Sequence, residues 1–128
     1  KKWSDVFEYK YGHDSMMVKV KNIRYLKVEN RMITIFLKGS DNLPFSENAE
    51  HKGQYYGTLQ EAYEKQSKQH GFLYLHKAYL VNSEYIATYE YHQVILTDHT
   101  IIPIGSSKRK EIRLLQMQMC DKIEKGDI

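Results

Sequence analysis

An apolar stretch from Phe72 to Asn82 is interrupted at its centre by two polar residues, and it constrains the fold more than any other feature. Nine of its eleven residues suit a buried strand, and the exceptions are His76 and Lys77. Because a lysine is almost never fully buried without a partner, the chain must reach the surface there. The stretch therefore predicts two short buried strands joined at a solvent-facing point.

Strand patterns dominate the rest of the chain. Met17–Lys21 alternates with a period of two, which predicts one apolar and one basic face. Ile23–Val28 and Met32–Leu37 flank the polar residues Glu29, Asn30 and Arg31, which predicts a hairpin with a short tip. Further strands are expected at Tyr85–Tyr91, Gln93–Thr97 and Thr100–Ile104.

Two helices are expected beside these strands. Thr58 and Glu61 have the spacing of a capping box, and Gly71 suits the left-handed residue that ends a helix. Residues 107–125 form a second helical pattern with one apolar face, composed of Ile112, Leu115, Met119 and Ile123. Residues 39–54 have the composition of a loop, in which only Leu43 and Phe45 are large and apolar. The fold class is therefore mainly β, with one short central helix and a C-terminal helix.

Composition bounds the class of protein. A chain of 128 residues is long enough for a single domain, and no apolar run approaches the roughly 18 to 20 residues of a membrane helix. The single cysteine, Cys120, suits a reducing cytoplasm. The net charge of +3 is weak evidence for a polyanionic partner, but the basic residues concentrate in residues 1–38 and 108–113. Because the chain starts without Met, we expect a fragment of a longer protein.

The histidines are scattered, and neither a glycine-rich phosphate loop nor a nucleophile elbow is present. Asp98 and His99 occupy a turn, where Asp is favoured for backbone reasons. We therefore expect no enzyme activity, no metal and no cofactor.

Three segments together resemble the LytTR family of DNA-binding domains. Ile23–Glu29 resembles the family's first motif, with Lys27 in place of the usual Glu. Gly57–Asn82 resembles its helix followed by an R-x-H-R-S-Y-I-V-N strand pair, and Val94–Ile104 resembles its V-x-L-x-x-G-x-x-L-P-V hairpin. The order, spacing and chemistry of the three segments agree.

The resemblance covers about residues 7–113. It implies an elongated LytTR-like β-sheet core and sequence-specific binding of double-stranded DNA, as the output domain of a bacterial two-component response regulator. The family places loop residues in successive major grooves. The resemblance also implies an upstream receiver or sensor domain, leaves open a homodimer on DNA, and implies no membrane contact. The contact residues that it implies are Asn30, Arg31, Met32, His76, Lys77, Ala78, Gly105, Ser106, Ser107, Lys108 and Lys110.

An alternative is a protein-interaction or regulatory module on the same fold with weak or lost DNA binding. The third contact region of the family usually offers Ser followed by Arg, whereas this chain has Gly105, Ser106 and Ser107. The loop at 39–54 is also longer than usual for the family. Both departures motivate this second hypothesis.

Overall fold

The computed structural model describes residues 5–38 and 53–124, with the side chains of residue 116 and residues 118–124 left out of the description. The chain divides into two compact units, of which the first ends at Tyr85 and the second begins at Ile86. In the described ranges no helix is long and apolar enough to cross a membrane.

The first unit contains two antiparallel sheets. A two-stranded ribbon pairs β1 (Val6–Tyr11) with β2 (Asp14–Lys19). A five-stranded sheet has the order β5-β4-β3-β7-β6. Its strands are β3 (Ile23–Glu29), β4 (Met32–Leu37), β5 (Gln54–Tyr56), β6 (Phe72–His76) and β7 (Tyr79–Asn82).

A helical segment connects β5 to β6. It begins with α1 (Leu59–Ala62), continues through wider turns at Tyr63–Ser67 and ends in a 3-10 turn at Lys68–His70. The Thr58 hydroxyl accepts a hydrogen bond from the Glu61 N–H at 3.2 Å, as the capping pattern predicts. The Glu61 carboxylate lies 2.9 Å from the ammonium of Lys65, instead of completing the reciprocal half of the predicted capping box. Gly71 ends the segment with a φ of 84°, as predicted.

Apolar side chains from both sheets and from α1 form the core of the first unit. Val18 and Val20 are buried while Lys19 is exposed, which confirms the alternation predicted for this segment. Tyr9 and Tyr25 are also buried.

The second unit consists of a three-stranded antiparallel sheet and a helix. The sheet has the order β10-β9-β8, from β8 (Ile86–Tyr89), β9 (Gln93–Leu96) and β10 (Ile101–Pro103). A 3-10 turn at Ser106–Lys108 leads into α2 (Arg109–Glu124). Ile112 is buried and Leu115 is half-buried, whereas the side chains of Met119 and Ile123 lie outside the described residues.

The prediction of a mainly β fold with a short central helix and a C-terminal helix is confirmed, and the differences lie at the ends of elements. Gln54 was predicted in a loop but begins β5, because it pairs with Thr34 and its side-chain amide donates to the Thr34 hydroxyl at 3.0 Å. Val20–Asn22 form a 3-10 turn instead of extending β2, since the chain turns there to enter β3. Residues 39–52, including Leu43 and Phe45, lie outside the described residues.

Candidate nucleic-acid interface

Two of the predicted contact segments lie at the same end of the five-stranded sheet. Antiparallel pairing opposes Glu29 to Met32, Lys27 to Tyr79 and His76 to Tyr79. The β3–β4 turn at residues 30–31 and the β6–β7 turn at residues 77–78 therefore leave the sheet at one edge, hereafter the contact end. The Val28 N–H donates to the Ala78 carbonyl at 3.0 Å and links the two hairpins directly.

The β3–β4 turn has an unusual backbone. Asn30 and Arg31 have φ values of 53° and 68°, so both occupy the left-handed region that a two-residue hairpin turn of this type requires. Asn adopts this region readily, whereas Arg does so at a steric cost. Both side chains are exposed, and Met32 follows them half-buried at the start of β4.

A β-bulge shapes the β6–β7 turn. The register shifts between Tyr74 and His76, which leaves Leu75 buried, His76 half-buried and Lys77 exposed. This confirms the prediction that the chain reaches the surface between two short strands. The Ala78 N–H donates to Nδ1 of His76 at 3.0 Å, and the His76 ring meets the Tyr79 ring edge-on at 5.6 Å between centroids. Burial and the neighbouring Lys77 charge hold the pKa of His76 below its usual value.

The contact end carries more positive than negative charge. The side chains of Arg31 and Lys77 are exposed, and the Lys27 ammonium lies 5.7 Å from the centre of the Tyr79 ring. The carboxylate of Glu29 opposes these cations and is also exposed. The first motif of the LytTR family has Glu at the position of Lys27. The contact end of this chain is therefore more positively charged than that motif implies.

The third predicted segment lies in the second unit, where β10 leads into α2. The Lys108 N–H donates to the Gly105 carbonyl at 2.8 Å and closes the 3-10 turn. Ser106, Ser107 and Lys110 are exposed, and Gly105 and Lys108 are half-buried. Hydroxyls, ammonium groups and the backbone amides of a helix start are the groups that bind phosphate oxygens.

Two arginines beside this segment were not predicted as site residues. The guanidinium groups of Arg109 and Arg113 lie 5.5 Å and 5.9 Å from the centre of the Tyr91 ring. Arg109 also donates from Nε to the Ile104 carbonyl at 3.4 Å. The four-residue spacing places both arginines on one helix face. Their contact with Tyr91 depends on the tertiary structure, which the spacing does not predict.

Tyr56 is a further residue that sequence reasoning missed. It is 75% exposed at the end of β5, directly opposite Met32. The N–H of the next residue, Gly57, donates to the Arg31 carbonyl at 3.0 Å, so Tyr56 is held beside the β3–β4 turn. The only sequence signal was an aromatic residue before a glycine at a strand end.

No three His, Cys, Asp or Glu side chains gather in an arrangement that could hold a metal ion within the described ranges. The arrangement is therefore one of exposed cations, hydroxyls and an imidazole on turns.

Comparisons with known proteins bear on the fold and the family of this chain. A comparison with curated proteins gave no match. A solved LytTr DNA-binding domain from Bacillus cereus, described as part of a methyl-accepting/DNA response regulator, superposes with a TM-score of 0.63. The two chains are 17% identical, and the match covers 88% of this chain and 96% of the other, which shows a shared fold. The family profile of the LytTr DNA-binding domain matches residues 13–117, and the chain therefore belongs to the LytTR family of DNA-binding domains.

Proposed function

We propose that this domain binds duplex DNA sequence-specifically, through loop residues in the major groove, as the output domain of a bacterial transcription regulator. The observation that carries the proposal is the pair of exposed cationic turns at one end of a single sheet, linked by the bond from Val28 to Ala78. Turns project beyond a sheet edge, so their side chains can enter a groove that the sheet itself cannot.

Each contact residue has a role that its chemistry supports. Arg31 can donate two hydrogen bonds to O6 and N7 of guanine, and Asn30 can pair with adenine. Lys77, Lys108 and Lys110 can neutralise phosphates, and Ser106 and Ser107 can donate to phosphate oxygens or base edges. Met32 and Ala78 offer apolar contact to thymine methyl groups, and Gly105 permits close approach of the backbone.

The wider context is part of the same proposal. A receiver or sensor domain of a two-component system is the expected source of the input signal, and the expected location is the cytoplasm. A homodimer on DNA would place two copies of the contact end on successive sites of one duplex. The domain acts by binding and not by catalysis.

The decisive experiment is selection of bound sequences from random duplex DNA, followed by affinity measurement over a range of salt concentrations. Contact with about five phosphates predicts a slope of about −4 to −5 in a plot of log affinity against log salt. A selected consensus sequence with such a slope supports the proposal. A slope near zero, or no binding at low salt, would favour the interaction module.

Lys77→Ala separates the proposed site from general surface charge. If Lys77 contacts a base edge, the variant loses about 1 to 3 kcal/mol on the selected sequence alone. If it contacts a phosphate, affinity falls equally on all sequences and the slope weakens by about 0.9. The matched control is Lys21→Ala, since Lys21 is exposed at the opposite end of β3 and should have little effect on either quantity.

A second candidate function, an interaction module, draws on the second unit. Leu114 and Met117 are more than half exposed on α2, and Ile101 is equally exposed on β10. Contiguous exposed apolar patches are typical of surfaces that meet another protein, and these three side chains are the candidates for such a patch in this unit. The interaction module becomes the better explanation only if the selection yields no consensus DNA sequence and DNA affinity does not depend on salt concentration.

A further inference from the structure

The imidazole of His76 is held in one protonation state by the backbone of its own turn. A backbone N–H can only donate, and the Ala78 N–H lies 3.0 Å from Nδ1 of His76. Nδ1 must therefore accept, so it carries no proton, and the ring proton of the neutral imidazole resides on Nε2. The bond spans two residues, as an Asx turn does, and closes the turn around Lys77.

The surroundings of the ring keep this arrangement in place. The bulge between Tyr74 and His76 sets the position of His76 at the end of β6, and the edge of the Tyr79 ring lies against it. Burial and the adjacent Lys77 charge lower the pKa of His76, which favours the neutral ring that the bond requires. In the described part of the chain, the His76 side chain forms one hydrogen bond, which it accepts from the Ala78 N–H. Its Nε2–H is therefore available to donate to a ligand.

We infer that His76 meets DNA as a neutral, donor-only contact through its Nε2–H. The inference rests on the proposed function, since it names how one residue of that site recognises its ligand. A single donor requires an acceptor atom opposite it. Phosphate oxygens, guanine O6 and N7, adenine N7 and thymine O4 qualify, whereas the amino groups of cytosine and adenine do not.

Two substitutions test the roles of the two ring nitrogen atoms of His76 separately. In His76→Asn, the amide oxygen can occupy the place of Nδ1 and close the turn, but no donor reaches the place of Nε2. In His76→Gln, the amide nitrogen reaches the place of Nε2 and donates, but the turn loses its acceptor. We expect His76→Asn to keep the melting temperature and lose about tenfold in DNA affinity, as for one lost hydrogen bond to a charged group.

His76→Gln should show the opposite pattern, with a lower melting temperature and affinity within about threefold of the unaltered protein when measured well below that temperature. If His76 serves only to shape the turn, His76→Asn will bind normally and His76→Gln will lose affinity. That result would overturn the inference.

Chemically altered DNA identifies the acceptor. One alteration should weaken binding of the unaltered protein but not weaken His76→Asn any further. The alterations are methylphosphonate at each phosphate in turn, and bases in which a purine N7, a guanine O6 or a thymine O4 is replaced by a group that cannot accept. The first kind of result assigns a phosphate and the second a base atom. If every altered position affects both proteins equally, His76 touches no acceptor and the inference fails.

Ring 15N chemical shifts of the free protein test the tautomer without DNA. A protonated Nε2 and a bare Nδ1 at neutral pH are expected, and a protonated Nδ1 would overturn the inference. Because this measurement needs no DNA, it distinguishes a wrong tautomer from failure of the proposed function, which would appear as absent DNA binding in the unaltered protein.

Discussion

Arg31 occupies a backbone conformation that its side chain disfavours. Its φ is 68°, at the turn position where Asn-Gly is the preferred pair and Gly has no steric cost. A left-handed conformation costs an ordinary residue about 1 to 2 kcal/mol. A long cationic side chain at such a position fits a functional role, because Gly would form the same turn at no steric cost.

Arg31→Gly should therefore stabilise the fold and weaken DNA binding at the same time. Relief of the left-handed conformation outweighs the greater entropy of the unfolded chain, which gives about 0.5 to 1 kcal/mol of added stability in denaturant unfolding. Loss of a bidentate guanine contact should cost about 1 to 3 kcal/mol of affinity for the selected sequence.

The matched control is His99→Gly. His99 has a φ of 75° in the turn between β9 and β10. This turn lies at one end of the three-stranded sheet, and Gly105 follows β10 at the other end. It should gain similar stability with unchanged DNA affinity. If Arg31→Gly also leaves affinity unchanged, Arg31 does not belong to the contact surface.

Residue identity predicted the exposure of Lys77 and the presence of a turn at Asn30 and Arg31, since a lysine resists burial and a polar pair between apolar runs favours a tip. It did not predict the protonation state of His76. That state depends on a bulge one residue earlier in β6 and on the Ala78 amide, and both are properties of the folded backbone.

At the scale of elements, Asn82 joins β7 to β3 at the end of the sheet opposite to the contact end. Its side chain is buried, donates from Nδ2 to the Ile23 carbonyl at 3.0 Å and accepts from the Glu84 N–H at 3.0 Å. Buried polar groups of this kind are costly to leave unpaired. Asn82 therefore fixes the strand pairing that carries the two contact turns.

Asn82→Ala should destabilise the domain by about 2 to 3 kcal/mol in denaturant unfolding, because two backbone groups lose their partner. The matched control is Gln54→Ala, which removes an exposed amide hydrogen bond from the same sheet and should cost less than about 1 kcal/mol. The folded fraction of Asn82→Ala should keep its DNA affinity, since the contact end is unaltered. Equal losses from the two variants would contradict a special role for Asn82.

Element boundaries were harder to predict than element types. The hairpin of β3 and β4 was predictable because apolar and polar residues alternate around a polar tip. The three-residue strand β5 was not fully predictable, because Gln54 has no strand preference of its own and is placed by pairing with Thr34.

At the scale of the whole molecule, the proposed contact residues are divided between two compact units. Those from Asn30 to Ala78 belong to the first unit, and those from Gly105 to Lys110 belong to the second. The order of these segments was predictable from the family resemblance. The cluster of Arg109 and Arg113 on Tyr91 was not, because Tyr91 is distant in sequence from both arginines and meets them only in the folded second unit.

If both units bind one duplex at once, Lys77→Ala and Lys110→Ala should act additively. Where both lysines contact phosphates, each variant weakens the salt slope by about 0.9 and the double variant weakens it by about 1.8. The two losses of binding free energy should sum in either case. Lys19→Ala combined with Lys21→Ala removes the same charge from exposed positions away from the contact end and serves as the control.

The outcomes for single variants assign the contacts to units. An unchanged slope for Lys110→Ala, with a weakened slope for Lys77→Ala, would restrict DNA binding to the first unit. An effect of the control double variant as large as that of Lys77→Ala combined with Lys110→Ala would mean that overall charge, and not these turns, governs affinity. Additive losses with an inert control are expected, because phosphate contacts at separate points of one duplex release their counterions independently.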